Sequence, residues 1–164
     1  MKESKFTEPQ ITFSINSIKL LPIFSNSEEN NHFVSIKACA DFLQVYNSAY
    51  YKKIGFELPW IGYFIADDHE QLIGFGGFKG KPKNGKVEIA YACFPKYESK
   101  GVGSAICARL IMIAQNTDSN VLITAKTLPN YSKSTKILQK NNFTMTGSLV
   151  DEEDGVVWEW QLLK

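Results

Sequence analysis

The stretch VEIAYACFPKYESKGVGSAICARL, residues 87–110, holds the residue types and spacing best suited to chemistry. A strand reading Lys86 to Phe94 stops at Pro95. Six polar or turn-prone residues follow, and Gly101-Val102-Gly103-Ser104 opens a helix. A turn of this kind aims unpaired backbone N–H groups outward at the positive end of a helix, which is a place for phosphate or diphosphate. The glycines let an anion reach the backbone, and Lys96 and Lys100 add charge nearby. A tight packing turn explains the short motif equally well. Two better-known phosphate motifs are excluded. Ser104 stands where GxxxxGK[ST] needs Lys, and Ile106 stands where GxGxxG needs its third glycine. On the strand itself, alternation puts Glu88, Ala90 and Ala92 on one face and Val87, Ile89 and Tyr91 on the other. A charge among small residues on a central strand is costly unless it looks into a cleft or finds a partner.

The elements that must position these residues follow from periodicity. ITFSI alternates at Ile11, Phe13 and Ile15 and predicts a strand that Ile18-Lys-Leu-Leu continues. Phe33, Ile36, Ala40, Leu43, Asn47, Tyr50 and Ile54 recur at three- and four-residue steps and predict one helix with a single Asn in its apolar face, ending near Gly55. Strands are expected over 60–66, 71–78 and 86–94, the second turn having Asn84-Gly85 at its tip. A nearly all-apolar helix over 105–115 is the central buried element. A strand over 121–126 and a helix over 132–141 follow, with Asn142 as a left-handed stop, then a closing hairpin of 143–149 and 156–162. The order β, α, β, β, β, α, β, α, β, β describes an α/β (α+β) chain with a mixed sheet and helices on its faces.

Three motifs in register across about residues 60–160 resemble the GNAT acetyltransferases, in particular the branch similar to the ribosomal-protein N-terminal acetyltransferases. The family pattern (Gln/Arg)-x-x-Gly-x-(Gly/Ala) falls on Glu98-Ser99-Lys100-Gly101-Val102-Gly103. Glu-Ile-(Gly/Ala)-Tyr falls on Glu88-Ile89-Ala90-Tyr91. The downstream pattern falls on Thr127-Leu128-Pro129, Ser134 and Leu138-Gln-Lys140-Asn-Asn142-Phe143. The resemblance implies a GNAT-like, mostly antiparallel sheet, helices on both faces, and a splay between the two central strands. It implies acetyl-CoA as co-substrate, its diphosphate on the amides of Lys100 to Ser104. The pantetheine would lie along Tyr91, Ala92, Cys93 and Phe94, with Asn130 and Ser134 beside it. In that setting Glu88 is the candidate base for the acceptor ammonium and a substrate contact. Ser134 and Tyr131 are candidate donors to the leaving thiolate, and Trp60 is a candidate acceptor wall. Two positions depart from the family. Glu98 replaces Gln or Arg, and is expected to turn to solvent or pair with Lys96 or Lys100. Tyr131 stands where Asn is usual, with Asn130 one residue earlier, so either could take the Asn role. Transfer is expected to be direct, with Cys93 not a nucleophile.

The rest of the sequence limits the alternatives. The chain has 164 residues, 44% apolar and 21% charged, which suits one globular domain over 1–164, with 1–10 a loose arm. Its 18 basic and 17 acidic residues give a net charge of +1, hence no bulk attraction to nucleic acid or to an anionic membrane. MKESKFTEPQ has no apolar secretory core, and the three spaced cysteines suit a reducing, cytoplasmic setting. His32 and His69 lack ligand-spaced companions, so no metal is expected. Gly74-Phe-Gly-Gly-Phe lies inside a strand and reads as close packing, and Trp158 and Trp160 read as core. Asp151-Glu-Glu-Asp reads as a solvated turn or, less readily, a lure for a cationic acceptor. The acceptor is a protein N-terminus or a small-molecule amine; monomer and homodimer are both compatible. The competing reading is a non-catalytic acyl-CoA-binding or regulatory module on the same fold.

Overall fold

A computed structural model describes residues 12–164. The expected arm over 1–10 and Ile11 of the expected first strand lie outside the described residues. Seven strands form one sheet in the order β1-β2-β3-β4-β5-β7-β6. They are β1 (Lys19–Pro22), β2 (Gly62–Ala66), β3 (Leu72–Phe78), β4 (Lys86–Cys93), β5 (Leu122–Thr127), β6 (Phe143–Asp151) and β7 (Gly155–Leu162). Every neighbouring pair is antiparallel except β4–β5, which is parallel. The α-helices among the described residues are α1 (Asn31–Val34), α2 (Ala40–Val45), α3 (Ser48–Ile54), α4 (Val102–Thr117) and α5 (Lys133–Lys140). None of the described helices is long and apolar enough to cross a membrane.

The hairpins form for local reasons. Asn84 and Gly85 both take positive φ, 50° and 75°, the pairing that a tight two-residue turn requires. The Asp67 carboxylate accepts the N–H groups of His69 and Gln71 at 2.8 and 2.9 Å and closes the β2–β3 turn. Asn142 stops α5 in the left-handed region at φ 67°. Gly74 and Gly76 sit under α4: a Cβ on Gly76 would lie 2.4 Å from Ile106 Cγ2, so close helix-to-sheet packing is their purpose.

Two expectations near the N-terminus are corrected. In place of a strand through Phe13 and Ile15, residues Ile15–Ser17 form a short 3-10 turn, and the strand starts at Lys19. Ser17 causes this: its hydroxyl accepts the Ser14 N–H and donates to the Ser14 carbonyl, both at 2.9 Å, which competes with extension. The long helix over 33–54 is instead three short ones. Ile36 is extended, and Asn47, read as a polar break in one helix, accepts the Tyr50 N–H at 3.1 Å and caps α3. Gly55 ends that run, at φ 88°.

The core lies on both faces of the sheet. Under α4 it contains Ile106 and Leu110 against Val87 and Ile89; on the other face Tyr46 and Phe42 pack on Phe75, with ring centroids 4.9 and 4.8 Å apart. Cross-strand register fixes the sides. Gly74 and Gly76 pair with Cys93 and Tyr91, so these four share the α4 face, whereas Phe75 pairs with Ala92 on the α1–α3 face, shared by Glu88.

Candidate active site

The parallel β4–β5 ladder runs only from Lys86↔Leu122 to Ile89↔Ala125. Beyond it, Ala90 to Cys93 pair with β3 alone, and Lys126 and Thr127 pair with β7 alone. The two central strands therefore splay, and β4 presents an unused hydrogen-bonding edge at the gap. α4 starts just beyond β4, and its first residue follows Gly101 at φ 83°. The preceding Ser99 is also left-handed, at φ 60°. The first intrahelical bond is Ala105 N–H to the Gly101 carbonyl, at 3.0 Å. Among the described residues, the N–H groups of Val102, Gly103 and Ser104 have no acceptor. They face a cavity of about 490 Å³ between the β4 end, the α4 start and α5. Gly103 keeps the space beneath α5 open, since a Cβ there would sit 2.8 Å from Ile137 Cδ1.

Most residues expected around a cofactor meet at this cavity. Tyr91, Ala92, Cys93, Glu98, Ser99, Gly101, Val102, Gly103, Ser104 and Ser134 all line it. The Tyr91 hydroxyl donates to the Ser134 carbonyl at 3.4 Å, joining β4 to the start of α5. Three others fall elsewhere. Phe94 is buried against Phe42. Lys100 points its ammonium over the Tyr97 ring at 6.0 Å. Asn130 lines an adjoining depression of about 380 Å³ that shares Ser134 with the main cavity. Tyr131 is 76% exposed and stacks edge-on against Trp158, so Ser134 is the hydroxyl that reaches both depressions. Trp60 is no wall of a cleft. It is buried edge-on against Phe78, whose ladder partner Ile89 lies on the face opposite Glu88.

Glu98 does not pair with Lys96 or Lys100. Its carboxylate accepts from Lys133 Nζ at 3.2 Å, and Lys96 instead lies over Tyr97. The physical reason is α5: its first turn brings Lys133 to the cavity mouth, nearer than the loop's own lysines. Glu98 is the one acid among the described residues lining the cavity, so it opposes any phosphate there. With CoA in the cavity, as the family resemblance implies, Glu98→Gln is expected to tighten its binding about three- to tenfold at low salt, an effect of mostly exposed charges that fades as salt rises. Isothermal titration of both proteins checks this, and equal affinities would mean that Glu98 swings clear on binding.

Glu88 sits on the other side of the gap, at a separate depression of about 340 Å³ with Tyr50, Lys79, Lys126 and Asp151. Lys79 Nζ lies 2.9 Å from Oε1 and Lys126 Nζ 3.3 Å from Oε2, while Lys126 also reaches Asp151 at 2.8 Å. Burial pulls the Lys79 ammonium down, but the hydrogen bond and charge of Glu88 outweigh it, so the net shift is upward. Lys126 behaves likewise, with Asp151 and Glu88 reversing the effect of burial. The Lys126 hydrogen bond, then the Glu153 and Asp154 N–H groups, hold the Asp151 carboxyl well below the usual carboxylate range. Asp151 thus leaves the solvated turn expected of it and braces the site. Cys93 stays a thiol, since burial raises it first and the Glu98 charge adds to that. Burial pushes the Cys107 thiol up to about 12.

Sequence reasoning missed the lysines. Lys133, Lys136 and Lys140 line the main cavity at steps of three and four, a spacing readable as one helix face. Lys79 and Lys126 carried no such signal. They reach Glu88 only because Lys79 follows β3 and Lys126 lies two residues beyond Thr124, the ladder neighbour of Glu88.

With this geometry in place, the family comparison is decisive: a family model described as an acetyltransferase (GNAT) domain matches residues 23–144. The chain belongs to the GNAT acetyltransferase family. A search among curated proteins finds no match. Among solved structures, the GNAT fold is shared with a spermidine N-acetyltransferase SpeG chimera from Vibrio cholerae and hSSAT (15% identity, 90% of this chain and 95% of that one, TM-score 0.64). It is shared also with RimL, a ribosomal L7/L12 alpha-N-protein acetyltransferase in complex with coenzyme A (15% identity, 88% and 93% covered, TM-score 0.63). At these identities the likeness speaks for the fold. The mixed, mostly antiparallel GNAT sheet with helices is therefore established, and the protein is a GNAT-type acetyltransferase.

Proposed function

We propose that this chain is one acetyltransferase domain over residues 1–164, acting in the reducing cytoplasm as an acetyl-CoA-dependent N-acetyltransferase. It transfers acetyl directly to the primary amine of a protein N-terminus or a small molecule. The observation that carries this reading is the meeting of three features around the β4–β5 splay: a cavity faced by α4 amides that have no acceptor among the described residues, the open edge of β4, and the Glu88 depression on the opposite side of the sheet. The amides of Val102, Gly103 and Ser104 take the diphosphate. The β4 edge from Ala90 to Cys93 hydrogen-bonds the pantetheine arm as an added strand would, and one of its N–H groups steadies the oxyanion. Glu88, through a water, takes the proton that the acceptor ammonium must lose before its nitrogen can attack. As the carbon–nitrogen bond forms and the carbon–sulfur bond breaks, the nitrogen sheds its second proton and the Ser134 hydroxyl relays a proton to the departing thiolate, regaining one from the nitrogen as it gives its own, while Glu88 returns the first proton to solvent. The neutral Cys93 takes no part, in keeping with direct transfer.

A second reading has its own observation: both oxygens of Glu88 are already held by lysines, as in a purely structural network. It describes a module that binds acyl-CoA without turnover. Thiol release from acetyl-CoA with a range of primary amines, alongside thermal shift with CoA, decides. Release with at least one amine supports the enzyme. Stabilisation by CoA without any release supports the module, and no stabilisation by CoA removes both.

A further inference from the structure

Lys126 stands where the two central strands part. The last rung of the parallel ladder joins Ile89 to Ala125, so Lys126 is rooted level with Ala90, at the first open position of the splay. Thr124, two residues earlier, is the ladder partner of Glu88, which puts Glu88 and Lys126 on one face. Lys126 Nζ lies 3.3 Å from Glu88 Oε2 and 2.8 Å from Asp151 Oδ2. Its side chain is 26% exposed, so it is neither locked in the core nor free in solvent. Among the described residues it is the one lysine that lines both depressions at the splay: that of Glu88, and that of Asn130 and Ser134. Lys79 also reaches Glu88, but from the β3 side, where its N–H donates to the Glu88 carbonyl at 2.9 Å and β4 stands between it and the gap.

We infer that Lys126 is an acetylation site of this protein, modified by its own bound acetyl-CoA when no acceptor amine fills the splay. This rests on the proposed cofactor reading and extends it to the protein as its own substrate. An acceptor has to bring a primary amine within reach of Glu88 and beside a thioester on the β4 edge; Lys126 already holds a primary amine there. Its four-carbon stem is flexible, and neighbouring strands lie about 5 Å apart, so rotation away from Glu88 carries Nζ towards the β4 edge at Ala90. Glu88 and Asp151 hold Lys126 as an ammonium, so attack waits until Glu88 has taken a proton, and the step is slow beside turnover of a free amine. The Nζ lone pair then forms a bond to the acetyl carbon and the carbon–sulfur bond breaks. Of the two protons that Nζ sheds, the first passes through Glu88 to solvent and the second ends on the CoA sulfur. The amide product is uncharged, so Glu88 Oε2 and Asp151 both lose their cation.

Incubation of the wild-type protein with acetyl-CoA and no added amine, followed site by site with mass spectrometry, tests the assignment. Lys126 is expected to be acetylated about a hundredfold faster than Lys81, whose side chain is 61% exposed, the factor being the worth of a positioned base. Transfer within one molecule also makes the rate per molecule independent of protein dilution. Glu88→Gln is expected to bring Lys126 down to the rate of Lys81. Lys126 reacting no faster than Lys81, a rate that falls on dilution, or a Glu88→Gln protein that keeps the wild-type rate overturns the inference; if CoA still stabilises the fold in a thermal shift, the cofactor reading stands without it. No stabilisation by CoA overturns the cofactor reading and this inference with it.

Discussion

Replacing Glu88 with Gln is expected to lower kcat for acetyl transfer by about a hundredfold or more, the usual worth of a positioned general base. The substitution keeps the shape and removes only the proton-accepting charge. CoA affinity is expected to stay unchanged, because Glu88 lies across the gap from the cofactor cavity. Lys126 keeps Asp151 at 2.8 Å, and Lys79 loses the ion pair it makes with Oε1, so a small fall in melting temperature accompanies the kinetic loss. The kinetic profile from pH 6 to 10 separates base from brace. If kcat in Glu88→Gln equals wild type throughout, the carboxylate is structural and the proton leaves by another route.

The glycines of the turn give the second large effect, and they are expected to fail in different ways. Gly103→Ala puts a methyl 2.8 Å from Ile137 Cδ1, the free end of a flexible side chain, so the fold adjusts at little cost. The same methyl fills the space through which an anion reaches the helix amides, and CoA affinity is expected to drop about tenfold or more. Gly101→Ala forces a Cβ into the left-handed region at φ 83°, 3.0 Å from the Phe13 carbonyl oxygen, which is backbone and yields less readily. It is expected to destabilise the protein by about 1–2 kcal/mol. Melting curves and CoA titrations of both variants check the contrast. A Gly103→Ala protein with wild-type CoA affinity would falsify the diphosphate site.

How far the sequence could be read depended on how local each cause was. The strand–turn–helix through Gly101 and Gly103 was legible because glycine, proline and apolar period all act within a dozen residues. Gly55, Asn84-Gly85 and Asn142 were legible for the same reason, each sitting at a backbone angle few residues accept. The broken N-terminal helix was less so. Asn47 spoils one apolar stripe but starts another turn, and only its bond to the Tyr50 N–H decides between them. The surroundings of Glu88 were out of reach. Lys79 arrives from just beyond β3 and Lys126 from β5, so their meeting at Glu88 depends on register across three strands that no local pattern sets. Trp60 erred the other way: adjacency to the first helix suggested a wall, whereas a T-shaped contact with Phe78 takes it into the core. The α5 lysines could have been found, since their three- and four-residue spacing is written in the chain.

The splay between β4 and β5 also bears on inhibitor design. The cavity at the α4 start opens on one side of the sheet and the Glu88 depression on the other, and the four β4 residues from Ala90 to Cys93, paired with β3 but not with β5, border the splay between them. With CoA in the first and the acceptor amine at the second, as proposed, a bisubstrate compound that tethers CoA to an amine mimic is expected to pass through the splay. Slim, unbranched tethers should therefore be preferred over rings or branched joints, and rigid linkers that suit a one-sided cleft should perform poorly here.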